Sequence, residues 1–147
     1  MMTIRSHDLA AFAGAVDPQP LNNTTIASDW VDLSRFRSAL FVLMAGATDT
    51  TVDMRLAESK DTVGTGIQDL PGRAIIAIAS TEDNRQAAIG VSQEHLTRNS
   101  GYRYVRAVVT VGAGAAGATL AVVAIGLAPR FGPASDLRHA DCVQAIG

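Results

Sequence analysis

Tyr102-Arg103-Tyr104-Val105-Arg106-Ala107-Val108-Val109-Thr110-Val111 leads into Gly112-Ala113-Gly114-Ala115-Ala116-Gly117-Ala118. That hinge leads on to Thr119-Leu120-Ala121-Val122-Val123-Ala124-Ile125-Gly126-Leu127-Ala128-Pro129. Two apolar, β-branched runs therefore flank a Gly/Ala hinge. Val, Ile, Thr and Tyr suit a pleated, half-buried surface, and clustered Gly interrupts it. The pattern predicts a β-hairpin in the middle of an antiparallel sheet.

Two other readings of this stretch fail on its composition. Residues 107–129 carry no charge, and the run exceeds the roughly 20 residues a helix needs to span a bilayer. Its centre, however, is Gly and Ala, and each Gly costs a helix interior about 1 kcal/mol relative to Ala. Gly112, Gly114 and Gly117 also match a dinucleotide-binding fingerprint. That motif needs a helix next, and residues 118–127 read as strand, with Gly126 and Pro129 breaking any helix. The second run is apolar on both faces: Thr119, Ala121, Val123, Ile125 and Leu127 on one, Leu120, Val122 and Ala124 on the other. A half-solvated strand alternates with polar residues. The strand is therefore central in a sandwich, the reading preferred here, or its outer face meets another subunit.

Outside this stretch the same grammar recurs. Residues 36–45 alternate Ala39, Phe41, Leu43 against Leu40, Val42, Met44 and predict a buried strand. Residues 51–59 read as an edge-like strand, with Val52, Met54 and Leu56 inward and Asp53, Arg55 and Glu58 toward water. Thr24, Ile26 and Ser28 alternate in a first strand, and residues 73–80 and 86–91 supply two more. Residues 60–72 read as loop, with Gly64, Gly66, Pro71 and Gly72. Residues 1–21 read as an extended N-terminal arm, with a short helix over 8–16 and an extended Asp17-Pro18-Gln19-Pro20. The expected organisation is an arm (1–21), a β-sandwich domain (22–130) and a C-terminal tail (131–147). The expected fold is all-β: an antiparallel β-sandwich or jelly roll of about seven to eight strands.

Composition narrows the function classes. The chain has 147 residues, enough for one domain with a core. Charged residues make up 18%, a low share that points to buried interfaces, and the net charge of −2 offers no basic surface for nucleic acid. Lys60 is the single Lys among the cations; the rest are Arg, a bias that either suits protein interfaces or reflects a GC-rich genome. Cys142 is the single cysteine, so no internal disulfide forms. The N-terminus does not read as a signal peptide, since Asp8 interrupts its apolar run.

Chemistry-bearing patterns are weak. His139 and Cys142 have the spacing of half a zinc site, with no second pair. His7, His95 and His139 fall in arm, connection and tail. Asp53 and Glu58 lie near one another in sequence, and a solvated strand face accounts for them better than a glycosidase pair. No G-x-S-x-G elbow occurs. The expectation is a protein without enzymatic activity, metal or cofactor. Tyr102, Tyr104 and Arg106 share a strand face and read as an interface stripe, with sugar stacking as the other use. Trp30 reads as a core residue at the sandwich edge or a stacking platform. Trp30, Tyr102, Tyr104 and Arg106, with Phe12, Pro18 and Pro20 of the arm, are the interface candidates.

Several stretches resemble small virion structural proteins of tailed bacteriophages. They are Ser38-Ala39-Leu40-Phe41-Val42 after Asp32-Leu33-Ser34, then Val52-Asp53-Met54-Arg55-Leu56-Ala57-Glu58-Ser59, then residues 102–110, the hinge and the closing strand to Arg130. The resemblance spans about 32–130 and leaves out the arm and the tail. It implies a capsid decoration or cement protein on the phage head, assembled in the host cytoplasm. Its implied partners are the major capsid protein and itself, with a trimer as the expected symmetry, and neither nucleic acid nor membrane. A neck or tail component and a carbohydrate-binding module are the alternatives.

Overall fold

The computed structural model describes residues 9–132, 137, 139 and 140. Nine strands run through them: β1 (Ala10–Leu21), β2 (Thr24–Ala27), β3 (Val31–Asp32), β4 (Phe36–Thr48), β5 (Val52–Ser59), β6 (Gln68–Ala74), β7 (Gln86–Ser92), β8 (Tyr104–Val111) and β9 (Ala118–Pro129). They form two antiparallel sheets, ordered β1-β9-β4-β7 and β2-β8-β5-β6, with β3 also paired to β8. β2 meets the end of β8 (Thr24 opposite Val111) and β3 its start (Val31 opposite Val105). The two therefore act as one interrupted strand. Counted so, eight strands lie in the order 1-8-3-6 and 2-7-4-5, which is a jelly roll.

The strands predicted from 102–129 are present, but they are not hairpin partners. β8 pairs with β2, β3 and β5; β9 pairs with β1 and β4. The hinge crosses from one sheet to the other, a step of about 10 Å. It is anchored by the other connections at that end. Asp49 accepts hydrogen bonds from the Ala116 and Gly117 amides at 2.7 and 2.8 Å. The Asn22 side chain donates to the Gly114 carbonyl at 2.9 Å and accepts from its amide at 3.0 Å. Gly117 has φ +84°, and a Cβ there would strike the Leu21 carbonyl.

The N-terminal segment also departs from expectation. From Ala10 onward it is neither helix nor free arm but the edge strand β1, laid antiparallel on β9 from Ala10 opposite Leu127 to Leu21 opposite Ala118. The reason is in the sequence: Ala11 and Val16 are core residues. Register shifts lie between Phe12 and Gly14 and between Val16 and Gln19, so Asp17-Pro18 sits in a bulge, where Pro removes no ladder bond. His7, Cys142 and most of the tail lie outside the described residues. Leu137 packs against the core.

β5 is an interior strand between β8 and β6, not an edge. Glu58 does not reach water. It follows Val52, Met54 and Leu56 at the strand period of two and is 1% exposed. Its carboxylate is satisfied by the Thr97 amide at 2.8 Å, the Thr97 hydroxyl at 2.5 Å and the Gln68 side-chain amide at 2.6 Å. These bonds fasten the β7–β8 connection to β5 and β6. β6 runs through Pro71, which the sequence placed in a loop; β6 ends its sheet, so Pro71 is tolerated there. Of the strand expected over 73–80, only Arg73 and Ala74 lie in β6, and Ile78 makes an isolated bridge to Val52.

The core fills the space between the sheets. Phe41, Leu43, Leu120 and Val122 face Met54, Leu56, Val105 and Val109, all at most 2% exposed.

Candidate functional site

The outer faces of the two sheets differ in character. In β9, burial alternates: Leu120, Val122 and Ala124 are buried, while Ala121, Val123, Ile125 and Leu127 are intermediate. β4 does the same, with Leu40 and Val42 intermediate and Met44 48% exposed. The register aligns them in rows. Leu40 stands opposite Ile125, and Ile125 opposite Phe12; Val42 stands opposite Val123, and Val123 opposite Ala15. On the far side Gly90 and Ala88 of β7 meet Leu40 and Val42. On β9, β4 and β7 no outward residue between the Leu127–Ser38 row and the Ala121–Met44 row is charged, and on β1 Asp17 is exposed in the bulge beside Ala121. β9 is thus central in its sheet, and yet one of its apolar faces lies outside the sandwich.

The other sheet turns a polar face outward. Arg55 pairs with Asp69 at 3.0 Å, and the hydroxyls of Thr25 and Thr110 lie 3.2 Å apart. Asp53 is exposed on this face. Asp53 and Glu58, neighbours in sequence, therefore occupy opposite sides of β5.

At one end of the polar face the aromatic candidates gather. The Arg106 guanidinium lies 4.3 Å from the Trp30 ring centroid. The Arg106 Nε is buried without a hydrogen-bond partner among the described residues, and burial lowers the arginine's pKa. Arg103 stacks on Tyr104 at 4.9 Å, donates to the Tyr104 hydroxyl at 2.9 Å and pairs with Asp32 at 2.9 Å. The hydrogen bond and charge of Asp32 raise the Arg103 pKa. A pocket of about 380 Å³ lies against Trp30, Tyr104, Asp32, Arg35 and His139. His139 is 3.2 Å from Asp29.

The structure thus unites Trp30, Tyr104 and Arg106. Tyr102 precedes the strand and is engaged elsewhere, its hydroxyl donating to the Gly66 carbonyl at 2.6 Å with Lys60 over its ring at 5.4 Å. Phe12 is 47% exposed on the apolar sheet face. Pro18 and Pro20 are exposed on β1. The residues missed as candidates are the outward ones of β4 and β7. Their signal was present, since Leu40, Val42 and Met44 make the second face of β4 as apolar as the first.

Among the described residues, no group of three or more His, Cys, Asp or Glu could hold a metal ion. Among them no helix is long and apolar enough to cross a membrane.

No family model and no curated protein matches the chain. Solved structures show a distant likeness to it. A protein of Bacillus endospore appendages, described as a novel family of disulfide-linked pili, is 13% identical, with 87% of this chain and 97% of that one covered, at a TM-score of 0.43. A chain of broad bean stain virus is 15% identical over 90% of this chain and 97% of that one, at 0.44. A chain of the naturally occurring empty particles of cowpea mosaic virus is 10% identical over 86% of each, at 0.44. At this level of likeness function does not transfer, and the chain's own geometry has to carry the reading.

Proposed function

We propose that this chain is a structural subunit of a virus particle, specifically a decoration or cement protein on the outside of a phage head. In this reading it binds the major capsid protein, bridges joints between capsid subunits and performs no catalysis. One observation carries the proposal: a jelly roll with one polar outer face and one apolar outer face whose strands β9, β4 and β7 present no charge between the Leu127–Ser38 and Ala121–Met44 rows. A sandwich of this kind is built to be covered on one side and wetted on the other. Jelly rolls serve viral capsids, lectins and cupins alike, so the site and not the fold has to decide. The resemblance of residues 32–130 to small virion proteins of tailed phages supports the particle among these uses.

The test is copy number, by quantitative mass spectrometry of purified particles against the major capsid protein. A ratio near that of the shell subunits is the expected result. A ratio matching a single ring moves the chain to the neck or tail. Absence from particles overturns the proposal.

A second reading has its own observation. Trp30 and Tyr104 line one pocket beside Asp32 and Arg35, the pairing of aromatic platform and polar groups that carbohydrate-binding sandwiches use. Trp30 is the single tryptophan, so its fluorescence reports directly. Saturable quenching by an oligosaccharide, lost in Tyr104→Ala, supports this reading, and unchanged emission across a glycan panel removes it.

A further inference from the structure

We propose that the apolar outer face of the β1-β9-β4-β7 sheet is covered by a second copy of this chain, packed sheet to sheet across a two-fold axis. Three properties of the face select this occupant.

The first is charge. A two-fold axis sets a surface against itself, so any charged patch on it would oppose a like charge. Across β9, β4 and β7 the rows from Leu127–Ser38 to Ala121–Met44 carry no charged side chain, and the one acid beside them, Asp17, is exposed in the β1 bulge at the rim of the face. A copy of the same face can therefore cover them without stranding an ion. An acidic or basic partner would gain nothing here.

The second is shape. Val42, Val123, Ala88 and Gly90 are short side chains at the centre and on one flank. They leave a low surface that a second sheet can approach at the usual separation of about 10 Å. The same geometry already holds the two sheets of the sandwich.

The third is area. Four strands spaced about 4.8 Å apart, with about eight outward-and-inward residues each at 3.4 Å, make a face of roughly 19 by 27 Å. That is about 500 Å² per copy and about 1,000 Å² for the pair, which reaches the lower bound of a specific interface. Phe12 and Met44, 47% and 48% exposed, stand on this face and add contact area.

The inference rests on the same apolar face as the particle reading and gives it to a second copy, which leaves the polar face and the ends of the sandwich to meet a shell. It concerns the chain alone in solution, whereas copy number concerns its place in a particle. A dimer absent from particles leaves it standing, and a monomer abundant in particles overturns only this inference.

The experiment is light scattering on the full chain across a concentration series. Two copies of the 15.3 kDa chain are the expected mass. Val123→Arg places a charge at the centre of the face, and Ala88→Arg does so at an exposed position that the fold does not use. Each should raise the dimer dissociation constant at least about 100-fold. Ala88→Arg should leave the circular dichroism and the melting midpoint unchanged, which separates lost pairing from lost folding. Arg55→Ala, on the opposite outer face, should leave the dimer intact. A wild-type chain that stays monomeric throughout, a three-copy mass, or a dimer that survives both arginine variants overturns the inference.

Discussion

The guanidinium of Arg106 lies 4.3 Å from the ring centroid of Trp30, and its Nε is buried with no hydrogen-bond partner among the described residues. An arginine so placed is held by its contact with the ring face. A desolvated cation–π contact contributes about 2 kcal/mol, against 0.5–1 kcal/mol when exposed. Arg106 is partly exposed, so Arg106→Ala should cost about 1 kcal/mol in urea unfolding. It should also shift Trp30 emission to longer wavelength, because one ring face becomes wet. Unchanged emission would show that the stack does not persist in solution.

Glu58 should matter more than any surface acid. Its carboxylate accepts from Thr97 twice and from Gln68 once, and the residue is 1% exposed. Glu58→Ala removes the acceptor of three bonds and leaves a cavity at a buried position, at a cost of about 2–4 kcal/mol, while the exposed Thr97 and Gln68 turn to water. Glu58→Gln keeps one acceptor oxygen and should cost less. Denaturant midpoints of the two variants test the order, and equal midpoints for Glu58→Ala and wild type contradict it. Asp53→Ala, exposed on the same strand, should stay within about 0.5 kcal/mol of wild type.

Asp49 holds the crossing between the sheets. Asp49→Ala removes the acceptor for two hinge amides and should destabilise by about 1–3 kcal/mol. Hydrogen exchange at Ala116 and Gly117 should accelerate before exchange in β8 or β9 does. Gly117→Ala should be worse, since it combines φ +84° with a collision at the Leu21 carbonyl. Exchange rates at the hinge that match wild type in Asp49→Ala would refute the anchoring role.

Removing residues 1–20 should unfold the chain instead of merely detaching an arm. The deletion strips β1 from β9, takes Ala11 and Val16 from the core and exposes a new sheet edge. Loss of cooperative melting together with aggregation is expected. A soluble, cooperatively folding truncation would return the segment to the role of a free arm.

The loop after β5 should respond to acid. Hydrogen bonds from Thr65, side chain and backbone, lower the Asp61 pKa below its ordinary 3.8, with further backbone bonds from Val63 and Gly64. A carboxyl lowered by folding contributes its stability above the unfolded pKa and loses it as pH falls through the folded one. Amide protection at Val63 and Thr65 should therefore be constant near neutrality and fall only at strongly acidic pH. Protection already lost near pH 5 would contradict this.

Where the strands lie was legible in the sequence, because a strand's period of two shows in its side chains. The alternation of 36–45 and the two runs of 102–129 gave β4, β8 and β9, and the β-rich, turn-punctuated pattern gave the sandwich. Parity also carries the burial of Glu58, which falls in step with Val52, Met54 and Leu56 although its charge points to water. A buried carboxylate needs donors from elsewhere in the chain, and Thr97 lies far away in sequence.

What the sequence by itself determined is local: strand positions, the all-β class and the presence of apolar residues on both faces of β4 and β9. Which strands pair, and which faces stay outside, only the tertiary structure decided. Hydrogen-bond ladders are indifferent to side chains, so β8 and β9 could have closed a hairpin. They join different sheets because β1 and β4 flank β9, and β2, β3 and β5 flank β8, in an arrangement that buries Leu120, Val122, Val105 and Val109 together. The same arrangement leaves Leu40, Val42, Val123 and Ile125 facing outward, and that surface exists only once the strands are side by side.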